Sequence, residues 1–160
     1  MDAVDKILAQ WNRERPDLDV GPMGLLGRLG RLRNHVSREI EAEFARHGLN
    51  ASSFDVLATL RRSGAPYRLS PSELLETMMI TSGTMTNRID QLEKAGMVER
   101  LDNPDDRRGV IIALTDKGFE VVEKAVTGHV ANQHRLVAVL TEDERKQLGA
   151  LVEKFLGAYE

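Results

Sequence analysis

The sequence predicts a mainly α-helical fold with one small β-hairpin. Apolar residues recur at helical spacing through most of the chain, with capping residues at the predicted helix starts. Two β-rich runs, 97–101 and 110–114, bracket a polar loop that contains a Pro and a Gly, as in a hairpin. The chain has 160 residues, of which 41% are hydrophobic and 29% charged. Such a composition is typical of one ordinary globular domain rather than a disordered chain.

The chain is centred on a predicted helix over residues 81–95. Met85, Ile89 and Leu92 fall at i, i+4 and i+7 and therefore form one apolar stripe. The other faces carry short polar side chains and an Arg, which can read the edges of DNA bases: Ser82, Thr84, Thr86, Asn87, Arg88 and Gln91. This pattern favours a recognition helix over an ordinary solvated helix face once its neighbours are considered.

A shorter helix is predicted directly before it, over residues 70–77. Ser70 offers an N-cap hydroxyl, Pro71 suits the first helical position, and Glu73 completes a capping box. Two helices joined by a short turn form a helix-turn-helix, and the hairpin that follows has the position of a wing. The sequence therefore predicts a winged helix-turn-helix core over residues 50–115.

Long amphipathic helices are predicted on both sides of this core. They are assigned to residues 2–13, 21–47, 50–62 and 116–139, and to a last helix that Thr141 caps. The third helix is expected to be capped by Asn50 or Ser52 and the fourth by Thr115, and residues 63–68 are assigned to a loop. The core is too small to cover all their apolar stripes. Residues 1–47 and 116–160 are therefore expected to be dimerisation helices of a single domain spanning 1–160. A two-fold homodimer would set two recognition helices about one turn of DNA apart.

Charged residues near the predicted wing tip point to DNA. Arg107 and Arg108 can enter a minor groove or contact phosphate, and Asp105 is placed to orient Arg107 by a charge-assisted hydrogen bond. With the recognition helix and the following Leu-Thr-Asp-Lys-Gly run of residues 114–118, this pattern resembles the multiple antibiotic resistance regulator (MarR) family of winged helix-turn-helix repressors. The resemblance extends from about Met23 to the end. It implies a DNA-binding homodimer with the long helix in the major groove and a wing Arg in the minor groove.

The chain is also similar to a subgroup of that family that responds to urate or related small anions. The subgroup carries an extra N-terminal helix with a Trp, an Asp before the helix-turn-helix, and Arg residues on the recognition helix and the first wing strand. The matching residues are Trp11, Asp55, Arg88 and Arg100, whereas Ser63 stands where the subgroup tends to have an Asn. A flat anion is expected to lie against Trp11 and to bind Arg88, with Asp55 paired to Arg100 in the free protein. The alternative is that Trp11 only anchors the N-terminal helix and that Asp55 and Arg100 form a structural salt bridge. Urate is the first effector expected, and phenolic or aromatic carboxylates are the second.

Composition excludes several other classes of protein. Without Cys, the chain has no disulfide, thiolate zinc site or thiol-based oxidation sensor. It has no apolar run of ~20 residues and no signal-peptide pattern, so it is expected in the cytoplasm. No enzyme motif occurs and the four His lack metal spacing, so no catalytic residue, metal or cofactor is expected.

Charge leaves one alternative open. The net charge is −3, and residues 61–108 carry eight basic and eight acidic side chains. A DNA-binding surface is usually basic. The alternative is a winged-helix protein-interaction module without sequence-specific DNA binding.

Overall fold

The computed structural model describes residues 1–78, 82–103 and 109–160, without the side chains of residues 82 and 83. These residues form seven helices and three strands: α1 Ala3–Glu14, α2 Gly21–Ala45, α3 Ala51–Arg62, β1 Arg68–Leu69, α4 Pro71–Met78, α5 Ser82–Lys94, β2 Val98–Asp102, β3 Val110–Leu114, α6 Asp116–Val137 and α7 Glu142–Leu156. None of the helices in these ranges is long and apolar enough to cross a membrane. The mainly α-helical class with a small sheet is confirmed.

The chain divides into two compact units, residues Met1–Glu39 and Ile40–Glu160. In the first unit, Asp2 and Asp5 form a capping box that starts α1. Arg28 on α2 donates to both carboxylates and so links the two helices. The side chain of Val4 is buried, and a Cβ at Gly24 of α2 would lie 3.0 Å from the side chain of Leu8 on α1. A helix face that lacks side chains therefore lets α1 lie close to α2.

The second unit is built around α3. Its apolar face is buried almost completely, and the stacked rings of Phe44 and Phe54 lie 4.1 Å apart, which joins the end of α2 to α3. Every other element of the winged region contributes to the same core, through Leu74 of α4, Met85, Ile89 and Leu92 of α5, Val98 of β2, Ile112 of β3 and Val122 of α6. One core therefore packs against α4, α5 and the sheet and fixes their positions relative to one another.

The two helices of the predicted helix-turn-helix are present. The Ser70 hydroxyl accepts from the Glu73 N–H at 3.3 Å, and the Glu73 carboxylate accepts from the Ser70 N–H at 2.7 Å, so the predicted capping box is confirmed. On α5, Met85, Ile89 and Leu92 are no more than 3% exposed. The predicted apolar stripe therefore faces the core, and the remaining faces of α5 are directed away from it.

The sheet has the strand order β1-β3-β2, with both pairs antiparallel. The predicted hairpin is confirmed, and its register begins with Val98 opposite Leu114. The loop assignment for residues 63–68 misses β1, in which Arg68 and Leu69 pair with β3. A strand of two residues shows no alternation in a sequence, so only the tertiary pairing reveals it.

Helix starts agree well with their predicted caps. Asn50, Thr115 and Thr141 accept hydrogen bonds from the first turns of α3, α6 and α7. The helix limits differ from those predicted by no more than two residues. None of the residues of α7, all of which are described, is buried.

Candidate nucleic-acid interface

The polar face of α5 lies opposite its buried stripe. Thr84, Thr86 and Asn87 are exposed there, and Arg88 is half-buried. Hydroxyl, amide and guanidinium groups match the donors and acceptors on base edges in the major groove. The side chain of Ser82, predicted to belong to this face, lies outside the described residues. The described part of α5 thus combines a buried apolar side with an exposed side of hydrogen-bonding groups.

The hairpin of β2 and β3 follows α5 directly. Asp105, Arg107 and Arg108, the residues predicted at its tip, lie outside the described residues. At the base of the tip, the Asn103 N–H donates to the carbonyl oxygen of Gly109 at 3.0 Å. The two strands are therefore paired up to the point where the described hairpin ends.

Arg100 connects this hairpin to α5. Its guanidinium donates to the carboxylates of Asp90 and Glu93, which lie three residues apart and face β2. The hydrogen bond to Asp90 is the main cause that raises the pKa of Arg100. The predicted pair between Asp55 and Arg100 is therefore wrong. Two carboxylates on the neighbouring helix already bind the guanidinium, and their spacing of three residues is the signal in the sequence.

Asp55 lies on α3 in a surface recess that Phe54, Thr59, Arg62 and Thr77 also line. Burial raises the pKa of Asp55, and the positive charges of Arg88 and Arg62 lower it by less. Arg88 is therefore the predicted ligand residue whose charge acts on Asp55. Arg62, which was not among the predicted ligand residues, is on the same helix as Asp55 and lines the same recess.

The other two predicted ligand residues, Trp11 and Arg100, line recesses of their own. Trp11 is 42% exposed on α1 and lines a shallow recess with Gln10 and Glu14. Arg100 lines a recess with Thr86 of α5, separate from that of Asp55. Across the described ranges, no group of three or more His, Cys, Asp or Glu side chains could hold a metal ion.

Comparison with known proteins identifies relatives along nearly the whole chain. The MarR family profile matches residues 49–110, from the start of α3 to β3. The HTH-type transcriptional regulator PecS of Dickeya dadantii is 44% identical over 156 residues, which are 96% of this chain and 94% of PecS. The multiple antibiotic resistance protein MarR of Escherichia coli is 33% identical over 134 residues, 82% of this chain and 90% of MarR.

Two solved structures with the same fold contain DNA. Sco3205, a MarR family transcriptional regulator from Streptomyces coelicolor in complex with DNA, has a TM-score of 0.77 and 26% identity over 89% of this chain and 94% of its own. A mutant MarR from E. coli complexed with operator DNA has a TM-score of 0.71 and 27% identity over 91% and 97% of the two chains. These relatives are transcriptional regulators and not enzymes. With its winged helix-turn-helix core, this chain belongs to the MarR family of DNA-binding transcriptional regulators.

Proposed function

We propose that this regulator is a cytoplasmic repressor that binds a pseudopalindromic operator as a homodimer and is released by a small aromatic or heterocyclic anion. The observation that carries the proposal is the polar face of α5 beside its buried stripe. The proposed contacts to base edges in the major groove are Ser82, Thr84, Thr86, Asn87 and Arg88. Asp105, Arg107 and Arg108 would serve the adjacent minor groove and phosphates.

The proposed homodimer is supported by the apolar face of α7. Four large apolar side chains of α7 are exposed at helical spacing, and a fifth follows just after the helix: Leu148, Leu151, Val152 and Phe155, then Tyr159. A contiguous apolar face of this kind is uncommon on the free surface of a monomer. A second copy is the partner that covers such a face on both molecules at once, because two-fold contacts are self-complementary.

The proposed effector site begins at Asp55 and Arg88. An anion that binds Arg88 would bring a second negative charge to Asp55, whose pKa burial already raises. Trp11 is proposed as a ligand residue in its own right, because its exposed indole offers a flat apolar surface to a ring. For Arg100 to bind the anion, it would exchange Asp90 or Glu93 for the ligand and so loosen β2 from α5. A ligand that binds this loosened state more tightly weakens DNA binding. By linkage, DNA weakens the binding of the ligand by the same factor.

The proposal is tested by titrating the protein against a duplex that it selects from a random pool. Mobility shifts are measured at about 50 and 200 mM salt, with and without millimolar urate or salicylate. A salt-sensitive shift that urate reverses is expected. A shift that neither compound affects would contradict the effector and keep the regulator. A selected duplex without dyad symmetry would contradict the homodimer on a pseudopalindrome.

Direct binding has its own readout. Trp11 is the only Trp in the chain, so its fluorescence reports on a ring that stacks against it. Urate is expected to quench the native protein, and Arg88→Gln is expected to bind it more weakly. Arg38→Gln on α2 is the matched control, because it removes an exposed Arg outside the proposed site. Equal quenching in all three proteins would contradict the role of Arg88.

A further inference from the structure

The end of α5 is bound by residues from the start of α6. Backbone N–H groups of residues 95–97 bind carbonyl groups in the last turn of α5, and the carbonyl groups of Ala95 and Gly96 lie just beyond the helix. Here the Lys117 ammonium donates to the carbonyl oxygen of Ala95 at 2.6 Å, and the Thr115 hydroxyl donates to that of Gly96 at 2.7 Å. The positive charge of Lys117 also lies at the negative end of the α5 dipole. Residues of the next helix thus complete the C-terminal end of the recognition helix.

Thr115 makes hydrogen bonds both to the first turn of α6 and to the segment that follows α5. Its hydroxyl accepts from the Gly118 N–H at 3.0 Å, which caps α6, while it donates to Gly96. Its backbone N–H donates to the carbonyl oxygen of Met97 at 3.2 Å. Because one hydroxyl group makes both bonds, the start of α6 cannot shift away from the end of α5 without losing one of them.

Gly118 makes the approach of the two segments possible. A Cβ at this position would lie 1.9 Å from the carbonyl oxygen of Met97 and 2.8 Å from its carbonyl carbon. Both atoms are backbone, so no side chain could move aside to make room. The first turn of α6 therefore packs directly on the backbone that follows α5.

We propose that Thr115, Lys117 and Gly118 form a joint that positions the recognition helix for DNA binding. These are positioning residues, which act through α5 and do not themselves contact DNA. On the other side of the joint, α6 leads to the exposed apolar face of α7, so the joint relates the recognition helix to the proposed dimer contact. This part of the inference rests on the proposed homodimer. The joint fixes the distance between the two recognition helices and therefore the half-site spacing that the dimer accepts.

Two pairs of variants test the joint without disturbing the α6 cap. Thr115→Asp keeps an N-cap acceptor but has no proton to donate to Gly96, whereas Thr115→Ser keeps both bonds. Lys117→Met removes the bond to Ala95, and Lys124→Met removes an exposed Lys from the same helix as the control. The probe is the duplex that the native protein selects from a random pool, together with versions one base pair longer or shorter at the centre.

In a variant with a loosened joint, α5 is no longer held in position. It must then be ordered when DNA binds, and this cost reduces the affinity. Loss of one hydrogen bond should then weaken binding by about two- to tenfold in Thr115→Asp and Lys117→Met. Both should discriminate less between the three spacings, with the salt dependence of binding unchanged. Thr115→Ser and Lys124→Met should keep the native spacing preference.

Two outcomes would overturn the joint. Native affinity and spacing preference in both test variants would show that the contacts do not position α5. A Lys117→Met variant whose log–log salt slope falls by about one would instead assign Lys117 to a phosphate contact. Failure of the proposed homodimer is distinguished from either, because the native protein would then select a duplex without dyad symmetry.

Discussion

Burial and neighbouring positive charges shift the pKa of the Asp55 carboxyl in opposite directions. Burial raises its pKa, and Arg88 is the charge that most opposes this rise. The folded protein therefore binds the proton more tightly than the unfolded chain does. The contribution of Asp55 to stability is fully present below the unfolded pKa, near ~3.9, and is lost as the pH rises through the folded pKa.

This sign gives a prediction for Asp55→Asn. At neutral pH the variant should have a higher thermal midpoint than the native protein, because it no longer holds a partly desolvated charge. The difference should shrink as the pH falls toward the ordinary Asp pKa. Thermal melts across this pH range measure it. The same difference at every pH would contradict the electrostatic cause and point to packing.

Asn87 is the residue of α5 best suited to test base reading. Its amide is exposed, and an amide that binds an adenine edge contributes about 1–3 kcal/mol of discrimination. Asn87→Ala should therefore relax the preference at one position of each half-site in a selection from random duplexes. Binding to unrelated DNA should stay unchanged.

Asn34→Ala is the control for this prediction, because it removes an exposed Asn amide from α2, outside the predicted recognition helix. It should retain the native sequence preference. An unchanged preference in Asn87→Ala would remove Asn87 from the base-reading residues. A uniform loss of affinity for all sequences would assign it to the DNA backbone.

Residue chemistry was more predictable than residue pairing. The apolar stripe of Met85, Ile89 and Leu92 follows from helical spacing alone, and the structure buries all three. The partner of Arg100 does not follow from spacing, because it depends on which face of α5 the hairpin meets. That packing brings Asp90 and Glu93 to Arg100 and excludes the pairing with Asp55.

Among the elements, α7 depends most on its own cap. Thr141 and Glu144 form a capping box, and no residue of the helix is buried within the chain. Thr141→Ala should lower the free energy of unfolding by about 1 kcal/mol, whereas Thr141→Ser should change it little. Denaturant unfolding at one fixed protein concentration measures both. Equal stability of the Ala and Ser variants would show that the cap contributes nothing measurable.

Helices were predictable as elements because their start signals are local. Ser70, Asn50, Thr115 and Thr141 all cap the helices expected of them. β1 was not predictable, since its two residues are held by pairing with β3 rather than by their own pattern. The joint at residues 115–118 was only partly predictable from the sequence. Its sequence was visible as a motif, but its contacts with residues 95–97 required the fold.

For the whole molecule, attraction to DNA must depend on where the positive side chains lie rather than on the net charge. The net charge is −3, so the chain as a whole does not attract DNA. The polar face of α5 and the proposed wing contacts must therefore supply the local attraction. Arg107→Ala should weaken binding to all sequences and lower the log–log salt slope by about one. Unchanged affinity and slope would contradict the assignment of the wing to DNA.

The proposed dimer can be separated from the DNA-binding surface by a charge placed on α7. Leu151→Glu and Phe155→Glu each put a carboxylate on its exposed apolar face, and Lys154→Glu, an exposed position on the same helix, controls for the added negative charge. The two test variants should sediment as monomers, with a thermal midpoint that no longer depends on protein concentration. Their affinity for the selected duplex should fall toward that for a single half-site, because the second recognition helix is no longer linked to the first.

Lys154→Glu should remain dimeric. If Leu151→Glu and Phe155→Glu also remain dimers at the native concentration dependence, the α7 face is not the contact between copies, and another surface must set the spacing of the recognition helices.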